Sequence, residues 1–146
     1  MAAEDQKLLE TILAEMKEGI GFLTAKGHPG AAVRTTGPDA FEAQVVELHG
    51  RFEVLPGQSV SAIIEIDPGR VGWRVSSMLA VYLDGDDRER SVGLGSARWG
   101  RLGDDSVVSA RVLATGAYVA LWEYLSGNAP AGLDLERDRP GVIDAR

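Results

Sequence analysis

The first periodic signal along the chain is helical. Leu9, Ile12, Leu13, Met16, Ile20 and Leu23 recur three or four residues apart, with Lys7, Glu10, Glu15, Lys17 and Glu18 on the remaining sides. One apolar stripe on an otherwise charged cylinder predicts an amphipathic helix that packs on something, with Asp5 as its N-cap. Gly19 and Gly21 weaken the last turns, and Gly27-His28-Pro29-Gly30 ends the helix.

The period then changes to two. Ala31 to Thr35 is a short strand, followed by a turn at Gly37-Pro38-Asp39. Phe41 to Val54 holds two extended pieces broken at His49-Gly50, the second being the alternating Arg51-Phe52-Glu53-Val54. After a Pro56-Gly57 turn, Val60, Ala62, Ile64 and Ile66 share one strand face, and Asp67-Pro68-Gly69 turns the chain again. Trp73, Val75, Leu79, Val81 and Leu83 continue the alternation, with Ser77 interrupting it. Asp84-Gly85-Asp86 then marks a hairpin into a strand from Arg88 to Leu94. Strands that follow one another without helical spacers imply a mainly antiparallel sheet.

Asp104, Asp105 and Ser106 offer caps for a second helix over Ser106 to Leu125, stopped by Gly127-Asn128 with Pro130 beyond. Ala110, Leu113, Ala117, Leu121 and Leu125 line one side, while Val108, Val112, Val119 and Trp122 make the other side apolar too. Such a helix is expected to be buried on more than one side. Ala131 to Leu135 suggests a last short strand, and residues 137–146 a loosely held tail. The expected fold is therefore one α+β domain over residues 1–136. It has five to seven mostly antiparallel strands, an N-terminal helix and a buried C-terminal helix.

Composition narrows the function. The 146 residues are 45% apolar with no cysteine, which suits one core-forming domain and removes disulfides, a thiol nucleophile and Cys-ligated zinc. No apolar run is long enough for a transmembrane helix, and charges interrupt the first 25 residues as no secretory signal does. A formal charge of −7 is a poor balance for gripping phosphate backbones or anionic lipid. The expectation is a soluble, acidic, cytoplasmic domain with no direct nucleic-acid or membrane contact.

Candidate chemistry is sparse. His28 lies in a Gly/Pro loop and His49 beside a glycine, neither with a carboxylate in metal-ligand spacing, so both read as turn histidines. Gly93-Leu94-Gly95-Ser96-Ala97-Arg98-Trp99-Gly100 invites a phosphate-loop reading. However, a segment intervenes before the helix, and Asp104 and Asp105 would repel the phosphate. Strand-end glycines making a bulge or wide turn account for it better. A calcium loop starting at Asp84 would need Glu at position twelve, where Gly95 stands. The reading is accordingly no enzyme, no catalytic residues, no cofactor and no metal. Trp73 and Trp122 read as packed side chains. Trp99, between Arg98 and Arg101, has the composition of an interface anchor, with a loop tryptophan tucked onto the sheet as the alternative. Together with Asp84, Asp86, Asp87, Glu89, Asp104 and Asp105 it forms a candidate surface for a basic partner.

The C-terminal third carries a family resemblance. Trp99-Gly100-Arg101-Leu102, Asp105-Ser106-Val107-Val108-Ser109, the run from Ala120 through Gly127-Asn128-Ala129-Pro130, and Leu133-Asp134-Leu135-Glu136 together resemble the tail of an immunity-protein family of bacterial polymorphic toxin systems. Ser109 stands where that family commonly has proline, and Leu135 where it often has tryptophan. The resemblance implies an inhibitor that neutralises a toxin domain acting on nucleic acid by blocking its basic cleft. Two other classes stay open. One is an acidic chaperone-like or phage assembly protein acting through a homodimer or partner interface. The other is a small-molecule-binding α+β domain with a pocket between sheet and helix.

Overall fold

A computed structural model describes residues 3–37, 43–69, 72–86 and 88–133, with side chains described from Gln6 onward. The elements are α1 (Ala3–Ala25), β1 (Ala32–Thr36), β2 (Gln44–Gly50), β3 (Gln58–Gly69), β4 (Gly72–Leu83), β5 (Glu89–Trp99) and α2 (Asp104–Leu125). The five strands form one antiparallel meander in the order β1-β2-β3-β4-β5. This is the expected α+β fold.

Both helices lie on one face of the sheet. Helix α1 packs on β1 and β2, α2 packs on β3, β4 and β5, and the helices pack on each other. Alternation decides which strand residues meet them. Val46 and Leu48 on β2, Val60, Ala62 and Ile64 on β3, and Val75, Leu79 and Val81 on β4 are all fully buried beneath the helices. Helix α1 contributes Leu8, Ile12, Met16 and Leu23, and α2 contributes Ala110, Ala114, Ala117 and Leu121. The small residues of α2 let it lie close to the strands.

Both helices end in the same way. His28 N–H donates to the Leu23 carbonyl and Gly27 N–H to that of Thr24, while Asn128 and Gly127 repeat the pattern onto Glu123 and Tyr124. These are Schellman motifs, with glycine taking the left-handed position. At the start of α2, Gly103 N–H donates to the buried Ser106 hydroxyl at 3.1 Å.

Several expectations are corrected. The α1 helix already includes Ala3, so Asp5 sits in its first turn instead of capping it. Arg51-Phe52-Glu53-Val54 is a turn: Phe52 folds inward, and Leu55 N–H closes onto its carbonyl at 3.1 Å. Asp67, Pro68 and Gly69 belong to β3, whose pairing with β4 continues to Gly69 opposite Gly72. Strand β5 runs on to Trp99, past the expected end at Leu94, and the glycine bulge lies inside it. Ala131 and Gly132 are a turn and Leu133 is not in a strand, while Leu135 lies outside the described residues. So do Phe41, Asp87 and the 137–146 tail. Helix α2 is covered by both sheet and α1, yet Val108 and Val112 remain 63% and 65% exposed.

Candidate functional site

A cleft of about 320 Å³ opens at the end of the sheet where β3 meets β4 and β5 finishes. Cross-strand register builds it: Trp73 of β4 pairs with Trp99 of β5, and Arg74 pairs with Arg98. A single irregularity sets that register. Between Ser77, opposite Gly95, and Met78, opposite Gly93, one extra residue, Leu94, enters β5. Were Leu94 paired in turn and not bulged, the ladder that begins at Tyr82–Glu89 would bring Trp73 opposite Arg98. The bulge therefore puts Trp73 beside Trp99 on the helix-covered face and Arg74 beside Arg98 on the other. The Ser77 hydroxyl donates to the Gly95 carbonyl at 3.4 Å, which occupies that oxygen next to the bulge.

Backbone forms much of the remaining wall, through Gly69, Gly72 and Gly100. Gly72 has φ +142°, and a Cβ there would collide with the Trp99 carbonyl oxygen, so only glycine lets β4 start this close to the end of β5. Arg74 Nη2 donates to Asp67 Oδ2 at 3.4 Å. Arg98 is exposed and has no carboxylate partner among the described residues. The two indoles, each half-buried, pack their inner edges on the core.

The expected acidic surface divides. Asp84, Asp86 and Glu89 lie at the β4–β5 hairpin tip, with Asp87 outside the described residues, whereas Trp99, Asp104 and Asp105 lie at the opposite end of β5. The eleven-residue strand β5 runs from one group to the other, about 30 Å at the usual rise. They do not form one patch. Internal cations also occupy several of these acids. Asp84 accepts from Arg51 Nη2 at 2.6 Å, and this bond holds its carboxyl below the usual range. Asp86, its side chain 7% exposed, accepts from Arg88 N–H at 3.0 Å and faces Arg90 Nη1 at 3.1 Å, an ion pair without hydrogen-bond alignment. The Arg88 backbone bond, helped by both arginines, lowers its pKa. Asp104 pairs loosely with Lys7 at 3.5 Å, and Glu89 and Asp105 are exposed.

The strongest polar constellation links the helices. Glu15, 5% exposed, accepts from Arg111 Nε at 2.9 Å, Thr115 Oγ1 at 2.9 Å and Tyr118 Oη at 2.8 Å. Burial raises the Glu15 pKa, but the three donors and the Arg111 charge outweigh it and leave the carboxyl below its usual range. Burial, reinforced by Glu15, pushes the Tyr118 hydroxyl up to about 12. This is a structural tie: both Glu15 oxygens and the Thr115 and Tyr118 hydroxyls are already engaged, and it fixes how α1 sits on α2. Tyr124 likewise donates to Gln58 at 2.6 Å beneath α2.

The histidines split. His49 lies on the uncovered face of β2, while the His28 ring stands edge-on to Phe52, with centroids 6.4 Å apart. Trp122 packs edge-on against Phe22 at 5.7 Å, with Lys26 Nζ 4.8 Å from its ring centre. No cluster of His, Asp and Glu among the described residues could hold a metal ion, and no described helix is long and apolar enough to cross a membrane. The cleft escaped sequence reasoning because bulges have no reliable local signature, although paired glycines around Leu94 were its one trace. Comparison with known proteins finds no matching family model, and no matching curated protein or solved structure.

Proposed function

We propose that the domain is a non-catalytic binding protein, an immunity protein that inhibits a basic toxin domain acting on nucleic acid in the cytoplasm. The observation that carries this reading is the half-covered sheet. Both helices occupy one face, and among the described residues no element packs on the other. At its centre Ile63, Ser61 and Ala80 are themselves buried among their neighbours, so the apolar contact this face offers comes from half-buried Met78, paired with Ile63, and the 44% exposed Tyr82. Around them stand Arg34 bonded to Glu47, then Glu65, Glu89 and His49. An apolar centre with a charged rim is the anatomy of a protein interface.

Charge supports the choice of partner. The formal charge of −7 steers a basic domain toward this protein at long range, and the open face then supplies close contact. The docking surface thus differs from the hairpin acids, whose charge is partly spent on Arg51, Arg88 and Arg90. Toxin-like proteins encoded beside this chain, co-expressed with it in a growth-rescue assay, test the reading. Wild type is expected to restore growth and bind the toxin, and Met78→Arg and Tyr82→Arg to lose both while remaining folded. Rescue unchanged by both substitutions would sink the reading. So would a sedimentation result in which this face is buried by a second copy instead.

A further inference from the structure

The open sheet face carries, at one end, a charge pattern that the fold does not complete. Strand alternation puts Asp67 of β3, Arg74 of β4 and Arg98 of β5 on this face, in one cross-strand row. Arg74 and Arg98 stand directly opposite each other, and like charges so placed cost stability. Asp67 answers only Arg74, at 3.4 Å. Arg98 is exposed and has no acid partner among the described residues. One rung further in, the row is Glu65, Ser76 and Ser96. Glu65 is half-buried and has no cation partner among the described residues.

Two unanswered charges of opposite sign therefore remain, Glu65 on β3 and Arg98 on β5. Two inter-strand spacings, about 10 Å, separate them, with Ser76 and the Asp67–Arg74 pair between. The planar guanidinium fork of Arg98 suits a carboxylate, and the Glu65 carboxylate suits a cation. Both charges adjoin the docking centre, because Met78 follows Ser76 on the same face two positions along β4. The short Ser76 and Ser96 side chains leave the space over this rung open.

We propose that this end of the open face sets the selectivity and orientation of docking: the partner domain places one carboxylate on Arg98 and one basic side chain on Glu65. This inference rests on the open-face reading and sharpens it. Net charge steers any basic domain toward this protein, but Arg98 then repels each one that has no acid at that point. Glu65 and Arg98 together fix direction, since a partner turned end for end on the face would set like charge against like. Glu65 and Asp67 beside the arginines also disfavour a row of phosphates, so the occupant is a protein surface and not a nucleic-acid strand.

The test uses the toxin domain identified by growth rescue, inactivated and immobilised for surface plasmon resonance. Arg98→Glu and Glu65→Arg should each weaken binding about tenfold or more. One acid-to-arginine change in the toxin should restore binding to the Arg98→Glu protein. Arg98→Gln supplies a readout that a structural role would not move. Removing one of two facing arginines should raise the Tm of the free protein by about 1–3 °C while weakening binding about tenfold. Met78→Arg is the control for the face. If it abolishes binding while Arg98→Glu and Glu65→Arg bind like wild type, the charged end lies outside the interface. The inference then falls and the open-face reading stands. If all three bind like wild type, this face is not the docking surface and both fall. A Tm lowered by Arg98→Gln, or no toxin change that restores Arg98→Glu, also overturns the inference.

Discussion

Removing Glu15 should do more damage than its place on a charged helix suggests. Three donors converge on its carboxylate, and Glu15→Ala strands them unequally. Arg111 is exposed and can turn to water, and Thr115 keeps its bond to the Arg111 carbonyl at 3.0 Å. Tyr118, only 7% exposed, loses its acceptor, and a buried unsatisfied hydroxyl costs about 1–3 kcal/mol. The space left by the side chain adds about 1 kcal/mol. The sum, about 2–4 kcal/mol, corresponds to a fall in Tm of about 4–16 °C for a chain of this size. Alanine is the best helix former, so the backbone does not contribute to the loss.

Tyr118→Phe separates the hydroxyl from everything else. Alone it should cost about 1 kcal/mol, but in the Glu15→Ala background it removes the stranded group, so the double variant should be cheaper than the two losses added by at least about 1 kcal/mol. Urea denaturation of the four proteins at pH 7, followed by circular dichroism, gives the cycle. The Glu15 pKa is lowered by folding, so its contribution is present above the ordinary value of 4.5 and is lost as pH falls through the lower folded value. The gap between wild type and Glu15→Ala should therefore narrow toward pH 3. Losses that add within about 0.5 kcal/mol, or a gap that ignores pH, would refute the reasoning.

Three further outcomes follow from the packing. Tyr118 is raised by folding to about 12, so its contribution holds below pH 10 and is lost as pH climbs through 12; urea midpoints at pH 9 and 11 should fall for wild type and stay level for Tyr118→Phe. Leu121→Ala truncates a fully buried side chain of α2 and should cost about 2–5 kcal/mol, whereas a denaturant melt like that of wild type would mean α2 is not core. Gly72→Ala should cost more than about 2 kcal/mol through strain and collision with the Trp99 carbonyl, while Gly100→Ala, which meets nothing within 4 Å, should stay within about 0.5 kcal/mol; similar melts for the pair would dissolve the argument about the cleft wall.

What could be read from the chain, and what could not, follows the range of the interactions concerned. The α1 stripe, the face shared by Val60, Ala62, Ile64 and Ile66, and both glycine helix stops are local patterns, and each lies where its period or turn chemistry put it. Glu15 is the counterexample. Periodicity counts a glutamate as outward-facing, and nothing within a few residues reveals donors 96 to 103 positions away. Leu8 lies outside the stripe of threes and fours yet is fully buried, because the core meets a broader arc of α1 than one narrow seam.

The candidate sites divide along the same line. Acids at a hairpin tip look like available charge when neighbours are judged by sequence, yet Asp84 is bonded across the fold to Arg51, thirty-three positions earlier. The Trp and Arg pairs of the cleft depend on something smaller still, the bulging of one residue. Moving β5 by a single position would put each indole opposite a different partner and turn its alternate side chains to the other face. Deleting Leu94 tests this directly. With it gone, Gly95 follows Gly93, and a regular ladder from Tyr82–Glu89 keeps Trp73 opposite Trp99 and Arg74 opposite Arg98. The variant should therefore lose the bulge and the packing of the Leu94 side chain while cross-strand NMR contacts between Trp73 and Trp99 persist. Contacts that move to Trp73 and Arg98 would mean that the ladder slips as a whole, that the hairpin end does not set the register, and that the account of the bulge is wrong.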